Sequence, residues 1–272
     1  MNAVLANETL IRASAFAGVF LLLIAAETLW PRRRLVMARA VRWPTNLAII
    51  ALGNLSVRIL AMAPAPLTAA AMAVAAERHG VGMLQLTPAP IWAKILVGVL
   101  LLDLAIWAQH VAFHRLAWLW RLHAVHHADR DIDVTTALRF HPLEIVLSML
   151  YKSVVVAIFG TPLLSVIVFE IGLNACAMFN HANVHLPRNV DRIVRLVFVT
   201  PDLHRVHHSV HADEHNSNFG FCLSVWDRLF GTFREQPRDG HQGMSIGLNP
   251  YQNATPGRLS WALALPWRSD RT

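Results

Sequence analysis

The sequence predicts an all-α integral membrane protein with about four to five transmembrane helices and a helical cap gathered on one face. Three observations carry that class. The 272 residues are 55% hydrophobic and only 15% charged, with a mean hydropathy of +0.41, against about 45–50% and about 25% in soluble domains. The apolar residues fall in runs close to the ~20 that cross hydrocarbon as a helix. Of 15 histidines, 13 lie between His110 and His215, in the polar text beside those runs. This composition excludes a soluble globular chain and a disordered one; length alone allows one or two domains. Two cysteines, Cys176 and Cys222, make neither a disulfide framework nor a four-thiolate cluster.

The first run, about Leu10 to Trp30, has no basic leading region and is followed at once by Pro31-Arg32-Arg33-Arg34. That is a stop-transfer flank rather than a cleavage site, so the run reads as a retained membrane helix. From Asn46 to about Ala76 the text is apolar but interrupted by Arg58, Pro64 and Pro66; one helix with a kinked or re-entrant end is expected. A third span runs from about Pro90 to Gln109 and carries Asp103. Pro142 suits a first helical position and opens a fourth span to about Phe159. Gly160-Thr161-Pro162 reverses the chain, and a fifth span returns to about Phe179. The remainder is mixed and polar, and its WALALPW is expected to be a short interfacial segment. Three regions follow: an N-terminal transmembrane region over 1–99, a catalytic domain with the last spans over 100–235, and a tail over 236–272.

The chain carries 24 Lys+Arg against 17 Asp+Glu, a net charge of +7 and a pI near 10.6. Nucleic-acid binding is one reading of that excess; the positive-inside bias of a membrane protein is the other. Arg32, Arg33, Arg34, Arg39 and Arg42 crowd the loop after the first span, which places that loop in the cytoplasm. Counting spans from there brings every histidine cluster to the same cytoplasmic face. The topology is drawn from arginines, so the agreement of the histidines is independent of it. No nucleic-acid partner is expected, and a bacterial inner membrane suits the Ala- and Arg-rich composition.

Four histidine clusters follow one another: His110 and His114; His123, His126 and His127; His181 and His185; His204, His207 and His208. Residues three or four apart share a helix face, so each cluster is expected to present two or three imidazoles to one point. Neutral imidazole ligates iron, copper, nickel and zinc. Ten of them suit two metal ions, whereas one zinc needs three or four. A lone HxxxH is weak, but four clusters in the order HxxxH, HxxHH, HxxxH, HxxHH on one membrane face are not a solvated patch. The chain has no Rossmann glycine fingerprint, no CxxCH haem site and no HExxH helix.

With its four clusters, the string HHADRDIDVTTALRFHPLE after the second and NFGFCLSVWDRLFGTF after the fourth, the stretch from Asp103 to Thr232 resembles the fatty acid hydroxylase / sterol desaturase superfamily of membrane di-iron oxidoreductases. Ala128 stands where many relatives carry Ser, and Asp133 where some carry Asn. The resemblance implies a di-iron centre, two iron ions held by the ten histidines named above, with O2 as co-substrate. The implied reaction hydroxylates or desaturates a lipid drawn from the bilayer, in fatty acid, sphingolipid or sterol-type lipid metabolism. No carboxylate lies inside the clusters, unlike carboxylate-rich di-iron bundles. The chain has no flavin, haem or iron–sulfur motif, so a cytoplasmic ferredoxin or small haem protein with its reductase is expected to supply electrons. Arg115, Arg121, Arg188 and Arg192 could dock an acidic donor or touch anionic lipid heads. The alternative is a histidine-rich metal-binding protein or transporter without redox chemistry, which would carry ligands near the bilayer midplane. A membrane zinc hydrolase lacks a carboxylate base beside the ligands.

No catalytic residue is expected beyond the metal ligands, but four polar side chains are candidates for supporting them. Asp103 precedes His110 by two helical turns and shares its face; it either accepts a hydrogen bond from a ligand imidazole or pairs with Arg58. Glu170 and Asn174 form one stripe with His181 and His185, serving the metal, a substrate head group or an inter-helix bond. His141 either organises the turn before the fourth span or bonds a ligand. His211 and His215 stay unassigned. Trp107, Trp118, Trp120 and Trp226 fit an interfacial aromatic belt.

Overall fold

Hydrocarbon offers the backbone no hydrogen-bond partner outside its own helix, and the computed structural model, which describes residues 7–268, answers with helices throughout. In chain order they are α1 (Glu8–Leu29), α2 (Arg39–Ala61), α3 (Ala69–His79), α4 (Met83–Leu86), α5 (Ile91–Arg115), α6 (Ala117–His127), α7 (Pro142–Phe159), α8 (Leu163–His181), α9 (Arg188–Val194), α10 (Pro201–His207), α11 (Ala212–His215), α12 (Val225–Leu229), α13 (Gly240–Gly243) and α14 (Leu259–Ala264). Among the described residues there are isolated β-bridges and no strand. Five helices, α1, α2, α5, α7 and α8, are long and apolar enough to cross a membrane. Their outward residues are those a lipid-facing helix shows: Leu21 and Leu22 of α1 are 64% and 68% exposed.

The spans alternate in direction. Arg12 near the start of α1 pairs with Glu170 in α8, and Glu27 near its end accepts from the Asn183 amide just beyond α8; α1 and α8 therefore run side by side toward the cap. Gly53 of α2 abuts Ile145 at the start of α7, so these two run away from it. Gly98 of α5 lies so close to α8 that a Cβ there would stand 2.7 Å from the Ser165 hydroxyl, the small-residue contact by which membrane helices approach. At the far end Gly82 and Gly160 both take positive φ, and a Cβ at Gly82 would fall 2.3 Å from the Gly160 nitrogen. Only glycine fits there.

The second span differs from the single helix expected over Asn46–Ala76. It starts earlier, at Arg39, and stops at Ala61; after a break holding Pro64 and Pro66, α3 begins at Ala69 with the Thr68 hydroxyl accepting from the Ala71 amide. Proline lacks the amide a helix needs and keeps its predecessor out of the helical region. The two pieces still continue one crossing. The Ser153 hydroxyl in α7 donates to Leu67, and Glu77 at the end of α3 accepts from the Leu163 amide beyond the α7–α8 turn. At 11 residues, α3 is about 16 Å long, too short to span alone.

The cap hangs on arginines. Arg42, buried in α2, donates to Asp129 at 2.6 and 2.7 Å and to Asp133 at 2.6 Å, and Arg139 donates to Asn46 and to the Val125 carbonyl at the back of α6. Burial alone would raise the Asp129 carboxyl; the paired Arg42 outweighs it and holds Asp129 at about 2. Arg32 bonds Asp202, Arg33 the Met244 carbonyl and Arg39 Glu27. The tail segment expected at the interface is instead packed: Trp261, Ala262 and Leu265 are buried with Ile49 and with Ala124 and Val125 of α6, while Ala264 and Trp267 of that string are exposed.

Candidate metal centre

Helices α5, α6, α8 and α10 bring nine imidazoles together at the cap end of the spans, and they divide into two groups. His110, His114, His123, His127 and His207 form one; His126, His181, His204 and His208 form the other, with the candidate ligand atoms inside each group within 4.8 Å of one another. The helical repeat explains the division. Residues four apart share a face, while neighbours point about 100° apart. Each HxxHH triplet therefore cannot aim all three rings at one point, as the sequence reading allowed. His123 and His127 serve the first group and send His126 to the second; His204 and His208 serve the second and send His207 to the first.

His185 does not join them. Helix α8 ends at His181, Ala182 is extended, and the His185 amide donates to the Trp30 carbonyl, leaving its side chain exposed. The i, i+4 relation that unites His110 and His114 on α5 is thus lost at His181–His185, and His185 is corrected from the candidate ligand set.

Proton positions show what the cluster needs. His110 Nδ1 donates to the Phe219 carbonyl (2.7 Å), His181 Nδ1 to Ala177 (2.6 Å), His207 Nδ1 to Ser217 (2.7 Å) and His123 Nδ1 to the Glu144 carboxylate (2.6 Å). A carbonyl oxygen only accepts, so His110, His181 and His207 carry their ring protons on Nδ1 and keep a lone pair on Nε2; an ionised Glu144 imposes the same tautomer on His123. Yet His110 Nε2 lies 3.1 Å from His123 Nε2, and His181 Nε2 lies 3.1 Å from both His126 Nε2 and His204 Nε2. With Glu144 ionised, the lone pairs of His110 and His123 face each other at this range and repel unless a cation lies between them. Two nitrogens at ordinary ligand distance from one ion are about 3.0–3.4 Å apart. His114, His127 and His208 have both ring nitrogens buried without a hydrogen-bond partner, as does Nε2 of His207; buried polar atoms in such numbers call for an unseen partner. The residues fit two metal ions.

Burial, with neighbouring imidazoles adding to it, pushes the basicity of His126, His127, His204, His207 and His208 well below the ordinary value, and burial holds His123 at about 3. All are neutral near pH 7, the form that ligates.

Of the four supporting candidates, none touches a ligand imidazole. Asp103 accepts from the Trp226 indole (2.8 Å), while Arg58 is exposed. Glu170 accepts from Lys152 Nζ (2.7 Å) and Arg12 Nη1 (2.6 Å), and Asn174 donates back to the Glu170 carbonyl. His141 caps α7, accepting from the Leu143 amide and donating to Leu263, which is its turn-organising alternative. His211 meets Asp239; His215 rests beside the first group, its ring 5.4 Å from Trp120. Trp107 and Trp226 are not belt residues: both indoles donate to buried carboxylates, Asp227 and Asp103.

Two carboxylates that the sequence reading passed over orient the rings. Glu144, in the first turn of α7, holds His123. Asp227 accepts from the Phe219 and Gly220 amides, Trp107 and Thr232, and so fixes the loop whose Phe219 carbonyl holds His110. Such partners set which ring nitrogen is free to ligate. Both lay inside the strings flanking the second and fourth clusters, but neither has a helical spacing to its histidine.

A cavity of about 270 Å³ meets the first group from the membrane side, its wall including His110, His123 and Glu144 at one end and Arg12, Lys152 and Glu170 at the other.

The chain is similar to several known proteins. An ornithine lipid hydroxylase, OlsE, of Rhizobium tropici is 29% identical over 58% of this chain and 46% of its own. Human alkylglycerol monooxygenase is 28% identical over 59% of this chain and 34% of its own, and the cholesterol 25-hydroxylase of Rattus norvegicus 28% over 53% and 48%. The chain thus spans less than half the length of these relatives. No solved structure matches. The model of the fatty acid hydroxylase family matches residues 95–232, just over half the chain and all four histidine clusters, and the protein belongs to that family.

Proposed function

We propose that the protein is a membrane-bound, O2-dependent oxidoreductase that hydroxylates a C–H bond of a lipid, with desaturation sharing the same first hydrogen removal. The observation that carries this reading is the convergence of nine imidazoles in two groups, with ring nitrogens of His114, His127, His207 and His208 buried without a partner, at the end of a cavity between membrane helices. Nine imidazoles in two groups would hold two iron ions: His110, His114, His123, His127 and His207 one, and His126, His181, His204 and His208 the other. Iron would supply the O2 chemistry that side chains lack.

The chain's own part is positioning. Glu144, Phe219, Ser217 and Ala177 keep the Nδ1 protons and so present Nε2. Ile106, Met149, Leu173 and Phe221 line the cavity that leads to His110 and keep water from the C–H bond. The exposed Arg115, Arg121, Arg188 and Arg192 suit an acidic cytoplasmic electron donor, a ferredoxin or small haem protein with its reductase. Arg32, Arg33, Arg39 and Arg42 lie at the histidine end, which supports a cytoplasmic placement of the centre and suits a bacterial inner membrane. Residues 100–235 would be the catalytic domain, 1–99 its membrane scaffold and 236–272 a tail. A transporter would place ligands near the midplane, and these lie at one end of the spans.

Untargeted lipid analysis of cells with and without the gene tests this. A lipid heavier by one oxygen, or lighter by two hydrogens, that disappears with His207→Ala is expected. Unchanged lipids, with zinc in the purified protein and no O2 uptake under any reductant, would overturn it.

A further inference from the structure

The same cavity that ends on His110, His123 and Glu144 carries a charged group at its other end, deep between the spans. Lys152 of α7 donates to Glu170 Oε1 at 2.7 Å and Arg12 of α1 to Glu170 Oε2 at 2.6 Å, while Arg12 Nε also reaches Glu8 at 2.7 Å. The side chains of Lys152 and Glu170 are only 10% and 11% exposed. Lys152 stands seven residues before the end of α7 and Glu170 seven after the start of α8, so the group sits about 10 Å inside the span ends. Holding helices together does not account for it. A buried ion pair rarely outperforms apolar residues of the same volume, and charge inside a membrane marks a functional site by default.

What the group offers the cavity is directional. Both Glu170 oxygens are occupied. Lys152 has spent one of its three ammonium protons on a side chain, and Arg12 has spent Nε and Nη1 but not Nη2. The unspent valence is donor only. It suits an acceptor oxygen, a carboxylate or a carbonyl, and gives nothing to an alkane. Between the two ends the wall is mostly apolar, with Ile106, Ile145, Met149 and Leu173, and carries Gln109, Ser148 and Asn174 among them.

We infer that Arg12 and Lys152 bind the carboxylate or ester oxygen of an acyl lipid, so that its chain runs down the cavity to the histidines. This rests on the function proposed above and adds the substrate's orientation. Eleven residues separate Glu170 from His181 on α8, about 16 Å along the axis. The carbon presented to the centre therefore lies well along the chain and not beside the head group. Arg12 and Lys152 are specificity residues: they touch the substrate far from the bond that reacts.

Binding, read without turnover, tests this apart from the oxidation. Full-length protein in nanodiscs is titrated with radiolabelled palmitate, with methyl palmitate and hexadecane as competitors. Palmitate binds, methyl palmitate competes and hexadecane does not. Lys152→Met and Arg12→Gln each weaken palmitate binding at least about tenfold, the loss of one charge-assisted hydrogen bond, with metal content unchanged. Glu170→Gln frees both cations and tightens the free acid more than the ester. Hexadecane competing as well as the ester, no palmitate binding by the wild type, or variants that bind normally would each overturn the assignment. Should a variant fail to fold, the wild-type competition decides alone. Normal binding with no oxidised lipid would leave this site standing and remove the proposed function.

Discussion

Replacing Glu144 separates the metal-orienting role from the metal-binding one. Its Oε1 accepts the His123 Nδ1 proton at 2.6 Å, the carboxyl is buried, and Oε2 has no hydrogen-bond partner. A hydrogen bond to a charged acceptor contributes about 1.5–3 kcal/mol and a neutral one about 0.5–1.5. Glu144→Gln keeps an acceptor and loses the charge, a cost of about 1 kcal/mol and a fewfold weaker metal site. Glu144→Leu removes the bond altogether, about 1.5–3 kcal/mol, or roughly 10- to 100-fold. Because His123 belongs to the five-histidine group, only that ion is affected. Titration with a graded series of chelators should release the five-histidine group's ion from Glu144→Leu at a weaker chelator than from wild type, while the other ion leaves at the wild-type threshold. Both variants holding metal as wild type does would refute the claim that this carboxylate positions His123. Loss of all metal at once would refute the division into two groups.

Adjacent histidines should behave differently. His207→Ala should lower occupancy of the first group and His208→Ala of the second, while His185→Ala leaves metal content unchanged; metal analysis of the three purified variants decides it. Asp227→Ala should destabilise the protein by about 3 kcal/mol or more, since it strands the buried Phe219 and Gly220 amides, and Asp227→Asn should recover part of that, as read by thermal unfolding in detergent. Burial, reinforced by Arg205, Arg32 and Arg195 against the opposing Asp202, holds the His241 imidazole at about 4. Its folded value is below its unfolded one, so its share of stability is complete above about pH 6.5 and is lost as pH falls toward 4. His241→Gln should flatten the pH–stability curve in that window by up to about 3 kcal/mol relative to wild type; an identical slope would contradict it.

The membrane made much of this protein legible. A helix that must cross hydrocarbon writes its length in apolar residues, and Glu8–Leu29, Ile91–Arg115, Pro142–Phe159 and Leu163–His181 stand where such runs occur. The second crossing was less clear because its break at Pro64 and Pro66 is filled by packing against α7, which no local pattern records. Histidine spacing reveals ligands only while the helix lasts: HxxxH describes His110 and His114 inside α5, and the same letters at His181 and His185 straddle a helix end. Which ring joins which group is set by where four helices meet. Glu144 acts across 21 residues on His123 and Asp227 across 8 on the Phe219 amide, one disguised as a first-turn carboxylate and the other as one polar residue in an aromatic loop. Asp103 showed the reverse hazard, since a shared helix face places it near His110 in angle but two turns away, where Trp226 takes it.

Iron reconstitution followed by X-ray absorption at the iron edge measures the central claim most directly. Two iron ions per chain, each surrounded chiefly by imidazole nitrogen, with the second ion lost in His208→Ala, is the result these nine side chains predict. One ion per chain, or a shell dominated by carboxylate oxygen, would contradict it.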